Sequence, residues 1–413
     1  MNQERLKDHL VIIIALLGGV KFKLFGTFYA SEIIIIILSV FISWKNVKNN
    51  KYAWNLFKLA CLWIAFSIAT DLYVNNSTIN SLKGTVSIIL FAIQFPVAYW
   101  LLCDKPVRFL YYIVIIGLVS IPNLYLFGPE IDEKTFGEMG ENIWLYYAMV
   151  PLATGCISWL YYKNKINAKV CSILIGGFGL FMLFHNSRNV FLTMAMAAII
   201  LYQISCYKSP NFNLILAKYK RSTIKTFILL FIGLIAVNAV YEHLAGSGAL
   251  GAYAYQKYVK QSQAESILEG GRSETFMGIE LIKRSPIIGY GNYATDRRNA
   301  FHRQYAKDHN LTFIPLQNDL RLPAHSYIVG SWMANGLGGG IFWIYVIFLM
   351  WQVFKSGTFL IYPKLLPLTL ISFMQLAWNI LFSPFGLRMP VSFFLMFLCI
   401  IYLTHKHHSY SNG

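Results

Sequence analysis

Four positions in this 413-residue chain combine a chemically capable side chain with a setting that would hold it. His325 stands in Pro323-Ala324-His325-Ser326-Tyr327, where a polar, charge-dense segment gives way to an apolar run. An imidazole fixed at a helix start accepts and releases a hydroxyl proton near neutral pH. Arg272 follows two glycines, Gly270-Gly271, and opens the stretch Gly271 to Arg284. Phe276, Met277, Ile279, Leu281 and Ile282 read there as the apolar side of an amphipathic helix, with Ser273 as N-cap and Pro286 as stop. Arg272 is then expected beside a helix N-terminus, where free N–H groups favour an anion. Arg188, in His185-Asn186-Ser187-Arg188, and Arg388, between Ser383 and Pro390, sit at the ends of apolar runs. A guanidinium holds phosphate oxygens in a bidentate fork and keeps its charge. Three arginines and one histidine on a common face would make an anion clamp beside a general base.

Plainer readings exist for each. An arginine near a bilayer edge can snorkel to the surface, and Arg388 suits a solvated turn as well as a site. His185 suits a satisfied polar residue at a helix end, and His243, His302 and His309 stand in polar surroundings. Gly336-Leu337-Gly338-Gly339-Gly340 lacks the following Lys-Ser or Lys-Thr of a phosphate-cradling loop. Small residues there favour close helix packing or a bend. Asn76-Ser77-Thr78 and Asn310-Leu311-Thr312 match glycosylation acceptors, a triplet that chance supplies often. The six cysteines lie in or beside apolar runs without metal-ligand spacing, and read as packing residues. No metal and no cofactor is expected.

The elements that must position these residues are helices in lipid. Hydrophobic residues make up 56% of the chain and charged residues 13%, with a mean hydropathy of +0.51. That is far from a soluble composition. The expected fold is an all-α polytopic membrane protein, since an open sheet leaves backbone groups unsatisfied in hydrocarbon. About twelve spans are expected, near residues 8–20, 25–43, 53–70, 85–103, 109–127, 143–162, 170–185, 189–206, 226–241, 326–354, 364–382 and 390–404. The run 326–354 is overlong and should break at Gly336 to Gly340. Leu10 to Val20 is followed by Lys21 and Lys23 instead of a small-residue cleavage site, and reads as a first span.

Residues 1–241 thus hold nine spans, 242–324 one large polar loop, and 325–413 three spans and a tail. Alternate turns carry the positive charge: Arg5 and Lys7, Lys45 to Lys51, Lys105 and Arg108, Lys163 to Lys169, Lys208 to Lys225, Lys355 and Lys364, and Lys406. The positive-inside rule makes these cytoplasmic, along with both termini. The acidic stretch Gly128 to Asn142 and the large loop then face outward. The formal charge of +17 is largely this loop pattern, so nucleic acid is not expected as a partner.

The order Ser187-Arg188, then Gly270-Gly271-Arg272, then Ser285 to Gly291 (SPIIGYG), then Ala324 to Trp343 (AHSYIVGSWMANGLGGGIFW) resembles the bacterial O-antigen ligase and O-antigen polymerase superfamily. The resemblance covers about residues 180 to 354. It implies a metal-independent, inverting, GT-C-like membrane glycosyltransferase with its active site on the periplasmic face of the bacterial inner membrane. By position, Arg188 and Arg272 would bind the pyrophosphate of an undecaprenyl-pyrophosphate-linked glycan donor. His325 would deprotonate the acceptor hydroxyl. The acceptor would be a lipid-linked repeat unit for a polymerase or lipid A core for a ligase, with membrane lipid and a chain-length regulator as further partners. Ser326 stands where many members have asparagine, and Phe382-Ser383-Pro384 where ligases carry an acid. The loop from Asp71-Leu72-Tyr73 to Leu82-Lys83-Gly84 also looks more like the polymerases. Polymerase is therefore the favoured expectation, with ligase second. A flippase or transporter of a lipid-linked sugar is a third reading, disfavoured because no internal repeat is visible and the charges gather on one side.

Overall fold

The computed structural model describes residues 3–23, 27–127, 148–185, 187–206, 267–309, 319–322, 325–386 and 388–411, with short pieces between 239 and 259. The described chain is helical almost throughout. Its long helices are α1 (Gln3–Leu17), α2 (Ala30–Phe41), α3 (Lys45–Asn49), α4 (Lys51–Tyr73), α5 (Thr78–Leu102), α6 (Arg108–Phe127), α7 (Val150–Tyr162), α8 (Ala168–Phe184), α9 (Arg188–Ser205), α10 (Ile267–Arg284), α11 (Ala300–Asp308), α12 (Tyr327–Ser356), α13 (Leu366–Phe382) and α14 (Arg388–Ser411). Two minimal antiparallel ladders complete it, β1 (Lys21–Lys23) with β2 (Thr27–Tyr29) and β3 (Thr295–Asp296) with β4 (Leu320–Arg321).

Among the described residues, five helices are long and apolar enough to cross a membrane: α4, α5, α9, α12, and Pro363–Phe382 containing α13. The architecture is that of an all-α membrane protein. Several expected spans come out shorter. Within the apolar run expected over 25–43, Thr27–Tyr29 pairs as β2 with the preceding β1, and α2 follows, whose twelve residues rise only about 18 Å. Thr27, Phe28 and Tyr29 suit a pleated strand, and they take chain length that a full span would have needed. Of the span expected over 226–241 and of the acidic stretch 128–142, nearly all lies outside the described residues.

Local chemistry sets the helix starts. The Asn50 carboxamide oxygen accepts from the Tyr52 and Ala53 N–H groups, both at 3.1 Å, and opens α4. Ser77 caps α5, Asn167 caps α8 and Ser326 caps α12 in the same way. Gly357, at φ 70°, ends α12 in the left-handed conformation that glycine adopts without penalty.

α12 is broken where the glycine run predicts it. Asn335 (φ −118°, ψ 19°) and Gly336 (φ 61°, ψ −149°) leave helical geometry, and the helix then resumes to Ser356. The loop Ser285 to Gly291 docks into the break. Tyr290 N–H donates to Met333 O (2.9 Å), Gly291 N–H to Ala334 O (2.8 Å), and Leu337 N–H to Ile287 O (3.0 Å). These bonds satisfy backbone groups that the kink frees, as a break inside an apolar bundle requires. A side chain on Gly336 would run into the Ile287 carbonyl.

An aromatic core lies under the break: Trp63 and Phe91 from α4 and α5, Tyr327, Phe342 and Trp343 from α12, and Phe385 before α14. Tyr327 meets Trp343 at 4.9 Å and Phe385 at 5.3 Å between ring centroids, distances suited to edge and tilted pairs.

Arg108 is not the solvated loop charge its position suggests. It is fully buried, donating from Nε to Asp8 (2.6 Å) and from Nη1 to Asp104 (2.7 Å) and Leu101 O (2.8 Å). It staples α1 to the α5–α6 turn.

Candidate functional site

The four residues singled out by type share one end of the bundle. Ser326 Oγ donates to the Ile380 carbonyl at 2.7 Å, placing His325 beside the C-terminal end of α13. Six residues past that end is Arg388. A groove of about 590 Å³ lined by Tyr161, Lys165 and Ala168 together with Pro363 and Lys364 places the α7–α8 turn at the opposite, N-terminal end of α13. From there α8 runs seventeen residues, about 25 Å, and α9 returns along it while packing on α13. Arg188, the first residue of α9, therefore lies at the same end as His325 and Arg388. Among the described residues, the turns carrying Lys163 to Lys169 and Lys364 meet at the other end.

α10 brings Arg272 to this end. Thr275 Oγ1 donates to the His325 carbonyl at 3.3 Å, and the Glu274 carboxylate meets His325 Nδ1. Arg272 is two residues before Glu274 on the same helix. The helix is already formed at Ile267, upstream of the expected stretch, so Ser273 is not its N-cap and Arg272 lies inside it. Gly270 and Gly271 are absorbed as interior glycines, at roughly 1 kcal/mol each relative to alanine.

His325 is half exposed, with a side-chain exposure of 50%, and Glu274 matches it at 49%. The backbone on either side is rigid by contrast. Ser326 is buried, caps α12 by accepting from the Val329 N–H (3.1 Å), and is followed by the buried Tyr327 in the aromatic core. The ring of His325 thus stands at the rim of the bundle on a fixed stem.

Arg388 has a different environment. Its Nε (2.9 Å) and Nη2 (2.8 Å) both donate to Glu32 Oε1, and its Nη1 to Ser87 Oγ (3.1 Å). Side-chain exposures are 12% for Arg388 and 2% for Glu32. The second Glu32 oxygen accepts from the Tyr29 N–H at the start of α2. A largely covered guanidinium is thereby neutralised by a buried carboxylate, and α2, α5 and α14 are tied together. Arg188 is partly buried behind Ser187, whose own N–H donates to Met182 O.

A polar network that motif reading did not find supports the same end. Asp71, at the end of α4, accepts from the Asn292 N–H (2.8 Å) and from the side chains of Asn292 and Asn76. Asn292 Oδ1 accepts from Asn335 Nδ2 (3.0 Å) at the α12 break, and Asn335 Oδ1 accepts from Trp63 Nε1 (2.9 Å). Asp71, Asn292 and Asn335 are all buried. Gly84 lies against Asn292 so closely that a Cβ would collide with it. The network locks the segment after α10 onto α4, α5 and the break.

Beyond it, residues 293–309 and 319–322 make a small outer unit. Asp296 accepts from the Phe301 (3.1 Å) and His302 (2.9 Å) N–H groups and contacts the His302 ring at 2.7 Å, starting α11. Burial alone would raise the Asp296 carboxyl, but these donors outweigh it and hold the group below its usual range. Leu281, Leu322 and Met333 pack beneath this unit.

Among the described residues no cluster of three or more His, Cys, Asp or Glu suits a metal ion. No protein-family model matches this chain, and no curated protein sequence matches it.

Proposed function

We propose that this protein is a glycosyltransferase of the O-antigen polymerase type. It would extend undecaprenyl-pyrophosphate-linked O-antigen or related surface-polysaccharide chains at the periplasmic face of the bacterial inner membrane. The observation that carries the reading is the docking of α10 on His325: Thr275 and Glu274 bring the helix bearing Arg272 to the proposed base. In this reading about twelve spans surround the site, the 242–324 loop is external, and both termini are cytoplasmic.

The chemistry balances without a metal. The acceptor hydroxyl gives its proton to His325 as its oxygen bonds to the donor anomeric carbon. The bond from that carbon to phosphate breaks on the opposite face, and the electron pair leaves with the lipid pyrophosphate. Arg188 and Arg272 neutralise the charge that grows on the leaving group. Arg388, already met by Glu32, contributes chiefly by holding α14 against α2 and α5.

The two departures from the family pattern keep their physical roles. Ser326 caps α12, a position where asparagine serves equally well. The acid missing before Arg388 has a counterpart in Glu32.

The test is a reconstituted transfer assay with lipid-pyrophosphate-linked repeat units, paired with lipopolysaccharide from a deletion strain. Longer lipid-linked glycans, and core bearing a single unit in the deletion strain, support the polymerase. Bare core with accumulated lipid-linked polymer would make it the ligase. Movement of lipid across the bilayer without a new glycosidic bond would overturn the enzyme reading.

A further inference from the structure

We propose that Glu274 is the positioning residue of His325, a role resting on the transferase reading above. Its carboxylate meets Nδ1 of the ring. A neutral imidazole facing a carboxylate through Nδ1 carries its proton there as the donor, which leaves the Nε2 lone pair to take up the acceptor proton. After that transfer both ring nitrogens are protonated, and the adjacent carboxylate stabilises the imidazolium. Glu274 keeps its own proton count throughout. The acceptor hydroxyl loses one proton, His325 gains one, and release to solvent completes the cycle.

The surroundings single out this acid. α13 has no charged residue, and α12 has one, Lys355, at its far end. On α10, Glu280 is engaged by Lys283, and Arg284 lies over the Phe301 ring. Asp71, the acid at the end of α4, is held by Asn292 and Asn76. The remaining charged residues on α10 are Arg272, two positions before Glu274, and Glu269, five positions before it. The backbone is held independently through Thr275 and the His325 carbonyl, so changing Glu274 alters the ring without undocking the helix.

Glu274→Gln keeps the shape and removes the charge, and Glu274→Asp keeps the charge on a shorter arm. Each is measured for kcat and KM of transfer across pH, and for ring titration by NMR with labelled histidine, the His325 signal being assigned by its loss in His325→Ala. For Glu274→Gln the expected result is a kcat lower by about tenfold or more, with KM little changed. The rising limb of the pH profile and the ring titration should both move about one unit toward acid. Glu274→Asp should recover part of both. Unmoved titration and an unmoved pH limb in an active Glu274→Gln enzyme overturn the inference. Absence of transfer in the wild-type protein, with the titration shift intact, would instead defeat the transferase reading and leave the His325–Glu274 pair standing.

Discussion

Glu32 and Arg388 are 356 positions apart, yet Arg388 Nη2 lies 2.8 Å from Glu32 Oε1 in a pair almost closed to solvent. Removing one partner strands a buried charge, which costs about 3–5 kcal/mol. Glu32→Ala should therefore lower thermal stability in detergent sharply, whereas the double variant Glu32→Ala with Arg388→Met should recover most of it. Losses of Glu32→Ala and Arg388→Met alone that simply add in the double variant would show that the pair is not a unit.

The Asp71–Asn292–Asn335 network makes a second stability prediction. Asn292→Ala deprives a buried carboxylate of a donor and the Asn335 amide of its acceptor, at about 1.5–3 kcal/mol. Because the network fixes the chain between α10 and the break, transfer should fall along with stability. A melting-temperature series read beside activity checks this, and a variant as stable and active as wild type would refute it.

Gly336→Ala should be worse. Its φ and ψ fall where a side chain is strained by about 1–3 kcal/mol, and the Ile287 carbonyl occupies the space a Cβ would need. The yield of monodisperse protein after size exclusion is the readout. Gly177, whose surroundings are open, is the control that should tolerate alanine.

Asp296 gives a pH prediction. Its folded carboxyl titrates below the ordinary value, so it stabilises α11 at pH above the unfolded pKa of about 3.9. That contribution is lost as pH falls through the lower, folded value. Hydrogen exchange of 300–308 should be faster in Asp296→Asn than in wild type at pH 6. The difference should close as pH falls through the lowered folded value of Asp296.

Much of this end of the molecule was legible in the sequence, because its signals are local. Hydropathy outlines α4, α5, α9, α12 and α13, and the glycine run at Gly336 to Gly340 marks the break. Arg188, His325 and Arg388 open helices or stand just before one, so adjacency to apolar runs found them. Pairing across the bundle was not legible. Glu32 sits at the edge of an isoleucine run with nothing nearby to name Arg388 as its partner. Asp71 and Asn292 are 221 positions apart. Glu274 did carry a signal, an acid two residues from Arg272 on one predicted helix, but its meeting with His325 depends on how α10 docks. Ser273, expected as the N-cap, lies inside α10, which is already helical at Ile267.

In the proposed reaction His325 is the proton acceptor at the rim of the bundle. The most direct measurement is polymer formation by purified His325→Ala in lipid, alongside proof that the variant is as monodisperse and heat-resistant as wild type. Transfer should fall by about 100-fold or more with the fold intact. Wild-type polymer from that variant would contradict it.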